Sequence, residues 1–500
     1  VAELSHRYKS SNDSLTRVEF AAIVYLTLPV ALFFVAYMRV QIWVPAVACI
    51  AFALARCAKR LGPTLVHQSR FLGLYFWMIS AATVFASGAF GLVHTNSDWI
   101  KHFAVFRFLI DNDSLVGIAS GYDGGTLRYY LGWYVVPALL TKIFSVQALS
   151  FLLGSWTTIG LYLFFSVASA LTNRPRWRYA LPLAFLLFSG SDAIGTAITG
   201  FRMGPIYHIE WWSGWIEFGS NYTDITWAPQ HALSAWLGVA LALRLVSNAS
   251  SLIVIPVVTT AVILWSPFSA IGLTPLFLYV LWRNRKEFTW EVLFSALSML
   301  VVLAAIARYL RAGTEDIPFD AVWNLRCLGQ GRPCYSFFGY LLFVALEVVP
   351  AILICQTITK WRDGMVWIAS LTLLGMPFVS FGAFNDLNLH GSIPALALLS
   401  LTAWQGIARG TVWLRAAFAA VVIVGLPTPI QEIRRALWMK KGPTSTDTNF
   451  AYVFEHDAWL RPQYMIDKIP WIIRRPYTAP HARPEERGHE VVDPTRHSHL

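Results

Sequence analysis

Charge is what this 500-residue chain has least of: Asp, Glu, Lys and Arg together make up 13% of it, about half the share usual in a soluble domain. That scarcity excludes an ordinary water-soluble enzyme. Cysteine is scarce as well, with five residues, and Cys49, Cys57 and Cys355 lie in or beside apolar blocks, which excludes a disulfide-stapled secreted scaffold. No apolar block alternates as a membrane β-strand would, and no HExxH or CxxC spacing announces a zinc centre. Clear internal repeats and low-complexity runs are also missing. What is plentiful is apolar: 56% of the residues are hydrophobic, 15% aromatic, and the mean hydropathy is +0.52. A formal net charge of +11 would suggest nucleic acid in a soluble protein. Here much of it sits in short loops between apolar blocks, where positive-inside topology explains it, and no nucleic-acid partner is expected.

A hydropathy window of about 19 residues finds apolar blocks near 18–38, 40–56, 71–93, 129–149, 151–172, 179–198, 228–246, 250–265, 267–282, 289–310, 337–358, 364–381, 392–409 and 412–428. Backbone groups inside lipid must be satisfied within the segment, so these blocks are expected to be helices. The first follows a polar, basic start and has the length of a retained span. Basic clusters at His6/Arg7/Lys9, Arg56/Lys59/Arg60, Arg174/Arg176/Arg178, Arg283/Arg285/Lys286 and Lys360/Arg362 mark the cytoplasmic side. All five share that side only if the region 129–172 crosses once. The expectation is therefore an all-α polytopic membrane protein with about 13 transmembrane helices: a cytoplasmic N-terminus (1–17), a transmembrane domain (18–428) and a polar, extracytoplasmic tail (429–500). Loops 94–128, 199–227, 311–336 and 382–391 then face outward. Segment 98–110, with Trp99, Phe103, Phe106 and Leu109 at helical spacing, is expected to lie on the membrane surface.

In so apolar a chain each ionisable group near the membrane needs a reason, and these groups cluster. In NSDWIKH, Asp98, Lys101 and His102 share a helical face, as a carboxylate base beside phosphate-binding cations would; the competing reading makes Asp98 a helix cap. RYYLGWY brings Arg128, Tyr129, Tyr130, Trp133 and Tyr134, either an interfacial aromatic belt or a sugar-stacking platform. YHIEWW and WAPQHALSAW supply His208, Glu210, Trp211, Trp212, Asp224, Gln230 and His231, the rings, acids and amides that carbohydrate recognition uses. FNDLNLHGSIPAL adds Asn385, Asp386, Asn388 and His390. His208, Glu210, His231 and Asp98 are acceptable ligands for a divalent metal, although no metal is required by any spacing. Asp192 and Glu347 are the acids inside apolar blocks. WSPF separates two short apolar blocks, and Pro267 is expected to end or kink a helix there. Cys327 and Cys334, seven apart in CLGQGRPC, are a disulfide candidate in an oxidising compartment.

This layout resembles the GT-C class of membrane glycosyltransferases. The resemblance rests on an acid in the first large loop (Asp98 in NSDWIKH), a helix after it through Phe106, and an aromatic start to the next block, YYLGWYVVPALLTKIF. SDWxKH, YYxxWY, WxPQH and NDLxxxxSIP together also look like an uncharacterised group of bacterial polytopic membrane proteins. The GT-C resemblance implies a polyprenyl-phosphate sugar donor and a glycan, lipid or protein acceptor on the extracytoplasmic side of the bacterial inner membrane. It implies Asp98 as general base, and Lys101, His102, Arg128 or Arg202 at the leaving phosphate. Members often carry a second acid beside the first; Ser97 and Trp99 stand there instead. Three other classes fit the same residues: a transporter or flippase for a polar or lipid-linked substrate, a lipid-linked polymer ligase or polymerase, and a non-catalytic subunit of a membrane assembly.

Overall fold

The structure is a computed structural model and describes residues 14–474 apart from 63–68, 112–124, 173, 202–207, 215, 247–251, 316, 318, 322–335, 383, 409, 441–447 and 469. Helices dominate, as apolar blocks that must satisfy their own backbone require. The first half of the chain forms α1 (Arg17–Tyr37), α2 (Val40–Ala58), α3 (Arg70–Ala86), α4 (Asp98–Ile110), α5 (Gly132–Ile143), α6 (Leu149–Ser169), α7 (Pro175–Leu186), α8 (Asp192–Thr199), α9 (Asn221–Trp227) and α10 (Pro229–Leu245). The second forms α11 (Val254–Trp265), α12 (Pro267–Arg283), α13 (Trp290–Leu310), α14 (Phe337–Glu347), α15 (Val349–Ile358), α16 (Gly364–Gly375), α17 (Asp386–Gly391), α18 (Ile393–Ile407), α19 (Val412–Gly425), α20 (Pro427–Trp438), α21 (Phe450–His456) and α22 (Arg461–Tyr464). Two small antiparallel ribbons pair β1 (Thr126–Leu127) with β4 (Met465–Ile466) and β2 (Phe319–Ala321) with β3 (Val379–Phe381).

Local chemistry sets several boundaries. Thr16 and Glu19 close a reciprocal capping box at the start of α1. At WSPF, α11 ends at Trp265, the Ser266 side chain accepts the Ser269 N–H, and Pro267 opens α12 at a position where its missing N–H costs nothing. Gly132 lets the start of α5 lie against Trp265, since a β-carbon there would overlap the indole.

The positions of the helices follow the apolar blocks, but the expected number of crossings does not stand. Among the described residues four helices are long and apolar enough to span a bilayer: Arg17–Tyr37, Val40–Ala58, Val146–Ser169 and Trp290–Leu310. The count rises to six if the bent pairs α14/α15 and α19/α20 each make one span. About 13 spans is thus corrected downward, because a crossing needs roughly 20 residues and most blocks break earlier. FSGS interrupts α7 from α8, WSPF divides α11 from α12, and α5 has 12 residues. Several short helices are walled in by protein; nearly all of α10 is buried, and its apolar residues form core. Elsewhere apolar faces lie open. Trp290, Phe294, Leu297 and Val301 form one exposed stripe on α13, and Phe71, Leu74 and Met78 another on α3. Stripes of this kind suit lipid, and the chain is an integral membrane protein by these helices.

Helix α4 forms over the residues expected, yet it is not a surface helix. Trp99, His102, Phe103, Ala104, Val105, Phe106, Leu109 and Ile110 are all buried, because α5 packs on one side and the tail helix α21 covers another, with Phe450 edge-on to Phe108 at 6.1 Å. The described part of the tail is likewise no solvated appendage. The Arg128 N–H donates to the Tyr464 carbonyl, β4 pairs with β1, and the Arg474 N–H donates to the Tyr37 carbonyl.

Candidate functional site

Four polar clusters far apart in sequence meet in one cleft. It is lined by Asp98, Lys101, His102, Tyr129, Tyr130, Ala228, Gln230, His231, Phe384, Asp386, His390, Leu460, Gln463 and Tyr464. Helix α4 presents its first turn, α10 its N-terminal end and α17 its whole short length. The turn before α5 adds the two tyrosines, and α22 closes the remaining side.

Asp98 is the first helical residue of α4, and its N–H is capped by the Asn96 side chain at 3.0 Å. Its carboxylate is therefore not a cap. It binds Lys101 Nζ at 2.6 Å, and the two side chains keep 31% and 21% of their surface open to water, so this pair sits at the mouth of the cleft. Lys101 also lies over the Phe384 ring, 5.3 Å from its centroid. Burial alone would raise Asp98, but Lys101 above all holds its carboxyl below the ordinary value. Burial likewise opposes the charge on Lys101, and Asp98 with Tyr464 and Asp386 outweighs that and raises it. Both remain ionised at neutral pH.

Asp386 is the second acid. Gln463 Nε2 donates to its Oδ2 at 3.2 Å, and His390 Nε2 stands 4.0 Å from its Oδ1. Gly382 makes room for it: the glycine has φ 90°, and a β-carbon there would overlap the Asp386 carboxylate. Burial pushes Asp386 up to about 6, with Lys101 pulling the other way. His390 stacks face to face on His231 at 3.6 Å and 6°, and burial drives it down to about 3, so the ring is neutral. His231 Nδ1 is held by Ser266 Oγ at 2.6 Å. Tyr129 and Tyr130 share a hydroxyl bond of 2.6 Å, and Tyr464 stacks on Tyr129 at 4.7 Å. Around this polar box Gln230 Oε1, His231 Nε2, His390 Nδ1 and Gln463 Oε1 are buried without a hydrogen-bond partner among the described residues. Buried polar atoms are ordinarily satisfied, so the unfilled valences point to a polar occupant.

Several expected site residues have other roles. His102 reaches the cleft only with its edge. Its Nε2 lies 2.9 Å from the Trp227 carbonyl, so it carries the proton, and Nδ1 accepts from the Tyr134 hydroxyl at 2.6 Å. Burial lowers it to about 4, which corrects the expectation of a phosphate-binding cation at this position. Arg128 is not at the cleft wall; its guanidinium reaches the carbonyls of Gly313 and Pro462 and fastens the tail. Trp133, bonded to Thr157 Oγ1, and Tyr134 support the cleft from behind. Asn385 takes a left-handed φ of 59° just before α17 and positions the turn. Arg202, Cys327 and Cys334 lie outside the described residues.

The loop expected to join this cleft forms a second centre instead. The turn Thr226–Ala228 is the partition: the Thr226 carbonyl accepts from Asn96 and Trp99, while the Trp227 indole turns the other way, onto His208 at 4.9 Å. His208 is held between Glu432 on Nδ1, 3.0 Å, and Glu210 on Nε2, 2.8 Å. Burial would favour a neutral ring, but Glu210 and Glu432 raise it to about 10. Trp212 donates to Asp192, which also takes Thr428, and the Glu347 carboxylate packs against Gly190. Trp211, Trp227, Glu432 and Arg435 border an adjoining groove of about 320 Å³. The metal-ligand set expected from sequence is therefore split, with Asp98 and His231 in the first cleft and His208 and Glu210 here.

Sequence reasoning passed over Phe384, Leu460, Gln463, Tyr464 and Glu432. The tail did carry a signal: Leu460, Tyr464, Met465 and Ile466 are too apolar together for a solvated strand, and all are buried. The chain matches no family model, and no curated protein or solved structure is significantly similar to it.

Proposed function

We propose that the protein is a membrane glycosyltransferase of GT-C type, moving a sugar from a polyprenyl-phosphate donor to an acceptor hydroxyl at the extracytoplasmic face of the membrane. The observation that carries this reading is the single cleft in which Asp98–Lys101, Tyr129/Tyr130, Gln230/His231 and Asp386/His390 converge beside unsatisfied polar atoms. Lys101 is the cation at its mouth. A phosphodiester-linked sugar carries one negative charge and its departing phosphate a second, and the Lys101 ammonium, shared with Asp98, is the cation that meets this growing charge. Amides and stacked rings offer hydrogen bonds and apolar faces, the pairing that sugars require.

In the transfer, the acceptor oxygen attacks the anomeric carbon, the bond from that carbon to the phosphate oxygen breaks, and the phosphate departs with the electron pair. The hydroxyl proton goes to a carboxylate. Asp386, near 6, is ionised at neutral pH and still basic enough to accept that proton, which is the match that general-base work demands. Asp98 is the more weakly basic of the two and holds Lys101 in place. The cleft has a volume of about 30 Å³, the space of one water, so a sugar enters only if part of its lining moves outward.

The test is a mass-spectrometric profile of lipid-linked sugars and surface glycans from cells expressing wild type, a deletion, Asp98→Asn or Asp386→Asn at equal levels. The reading expects one sugar to disappear and its polyprenyl-phosphate donor to accumulate in the deletion and in both variants. An unchanged sugar profile would end it and favour transport or assembly.

A further inference from the structure

The centre around His208 lies outside the cleft assigned to transfer, and it gathers several charged groups in the described interior. Glu210, Glu217, Asp224 and Glu432 gather around one imidazole and one guanidinium, His208 and Arg435. We infer that His208, Glu210 and Glu217 are the ligands of a divalent first-row transition-metal cation, with Asp224 beside them.

The geometry has the layers of a built site. His208 Nε2, one Glu210 oxygen and one Glu217 oxygen lie within 4.8 Å of one another. Neighbouring ligands held at about 2.0–2.2 Å from one cation stand about 3–3.5 Å apart, so Glu217, 4.0 Å from His208 Nε2, needs to close in slightly and the 2.8 Å pair of His208 and Glu210 to open slightly as the cation replaces the proton between them. Two of the three ligands are aimed from behind. Glu432 Oε1 holds His208 Nδ1 at 3.0 Å, leaving Nε2 to face the two glutamates; a carboxylate behind a ligating imidazole is the usual orienting device. Glu432 is itself tied by Trp227 Nε1 and Arg435 Nη1, both at 2.8 Å. Glu210 directs Oε1 to the Ser220 N–H and the Thr223 hydroxyl, at 2.8 and 2.9 Å, and turns Oε2 inward.

An independent observation points to an occupant. Asp224 is 3% exposed, faces Glu210 and Glu217, and its Oδ2 has no hydrogen-bond partner. A buried carboxylate oxygen without a donor, close to two further carboxylates, is costly unless a proton or a cation shares the space, and burial with Glu210 and Glu217 raises Asp224 accordingly. Glu217 retains 13% exposure and provides the way in. One nitrogen with two or three carboxylate oxygens selects a cation such as Mn²⁺ or Zn²⁺ over a thiophilic metal.

The inference is independent of the transfer reading and is tested without an activity assay. Full-length protein in detergent, stripped with chelator, is titrated with Mn²⁺ while the electron paramagnetic resonance signal of the free ion is followed, and the bound ion is probed for ¹⁴N coupling. One equivalent bound with nitrogen coupling is expected, weakened at least about tenfold in Glu217→Gln and about 10–100-fold in Glu432→Gln. Because Glu217 is the most accessible of the ligands, its variant is expected to keep the circular dichroism and elution of wild type. Asp98→Asn and Asp386→Asn should bind as wild type does. Absence of Mn²⁺ binding, a bound ion without nitrogen coupling, undiminished binding in Glu217→Gln, or loss in Asp386→Asn instead would overturn the assignment.

Discussion

At the scale of single residues, the two acids of the cleft differ in environment and so should differ in consequence. Asp386 is buried and raised to about 6; Asp98 is half-open and paired with Lys101. Removing the base should lower kcat by about 10²–10⁴-fold in Asp386→Asn with little change in donor KM. Asp98→Asn should chiefly raise donor KM, because Lys101 loses its anchor. The base must be deprotonated to work, so kcat of the wild type should fall as pH drops through about 6, a limb absent from the residual activity of Asp386→Asn. Steady-state kinetics in membranes across pH 5–8 checks all three outcomes. Asp98, Lys101, Tyr129, Tyr130, Gln230, His231 and Asp386 were legible as candidates because an ionisable or amide group is conspicuous in an apolar chain. The neutrality of His102 was not, since it comes from burial, and the ring is enclosed by groups as far along the chain as Tyr134 and Trp227, 32 and 125 positions away.

At the scale of elements, the tail decides whether the cleft exists. Leu460, Gln463 and Tyr464 form one of its walls, and Arg128 holds that wall through the Pro462 carbonyl. Arg128→Ala removes both of its carbonyl contacts while leaving every spanning helix untouched, so the protein should still insert while hydrogen exchange across 458–468 accelerates and activity falls. Protection of that segment equal to wild type would refute the role given to Arg128. Gly382→Ala acts on another wall. Its φ of 90° and the overlap with Asp386 should cost about 1–3 kcal/mol, read as a lower midpoint of thermal unfolding in detergent. Helix boundaries such as Ser266–Pro267 were readable because they follow from local capping and proline chemistry. The burial of α4 was not, because its cover, Phe450, comes from a segment more than 300 residues later.

At the scale of the whole molecule, the exposed apolar stripes predict where lipid touches the protein. Trp290 and Trp413 are 75% and 80% exposed, whereas Trp236 and Trp404 are fully buried. In bilayers containing brominated acyl chains, Trp290→Phe and Trp413→Phe should each shrink the quenchable part of the fluorescence, and Trp236→Phe should not. Equal quenching loss in all three would contradict the lipid-facing assignment.

Composition alone determined that the chain is helical and lives in a membrane: a bilayer tolerates few charges and no open backbone, so hydropathy and secondary structure are one signal. The polar residues that stand out in so apolar a sequence also marked short segments that meet in one cleft. The number of crossings was beyond composition, because a buried helix and a spanning helix are equally apolar and differ only in what surrounds them, as α10 shows. Which clusters share a cleft was decided by tertiary structure as well. The turn at Thr226–Ala228 sends His231 to one side and Trp227 and His208 to the other, and the tail returns to close the first cleft with Tyr464. Such partitions rest on contacts between distant segments, where spacing along the chain carries no information about distance in space.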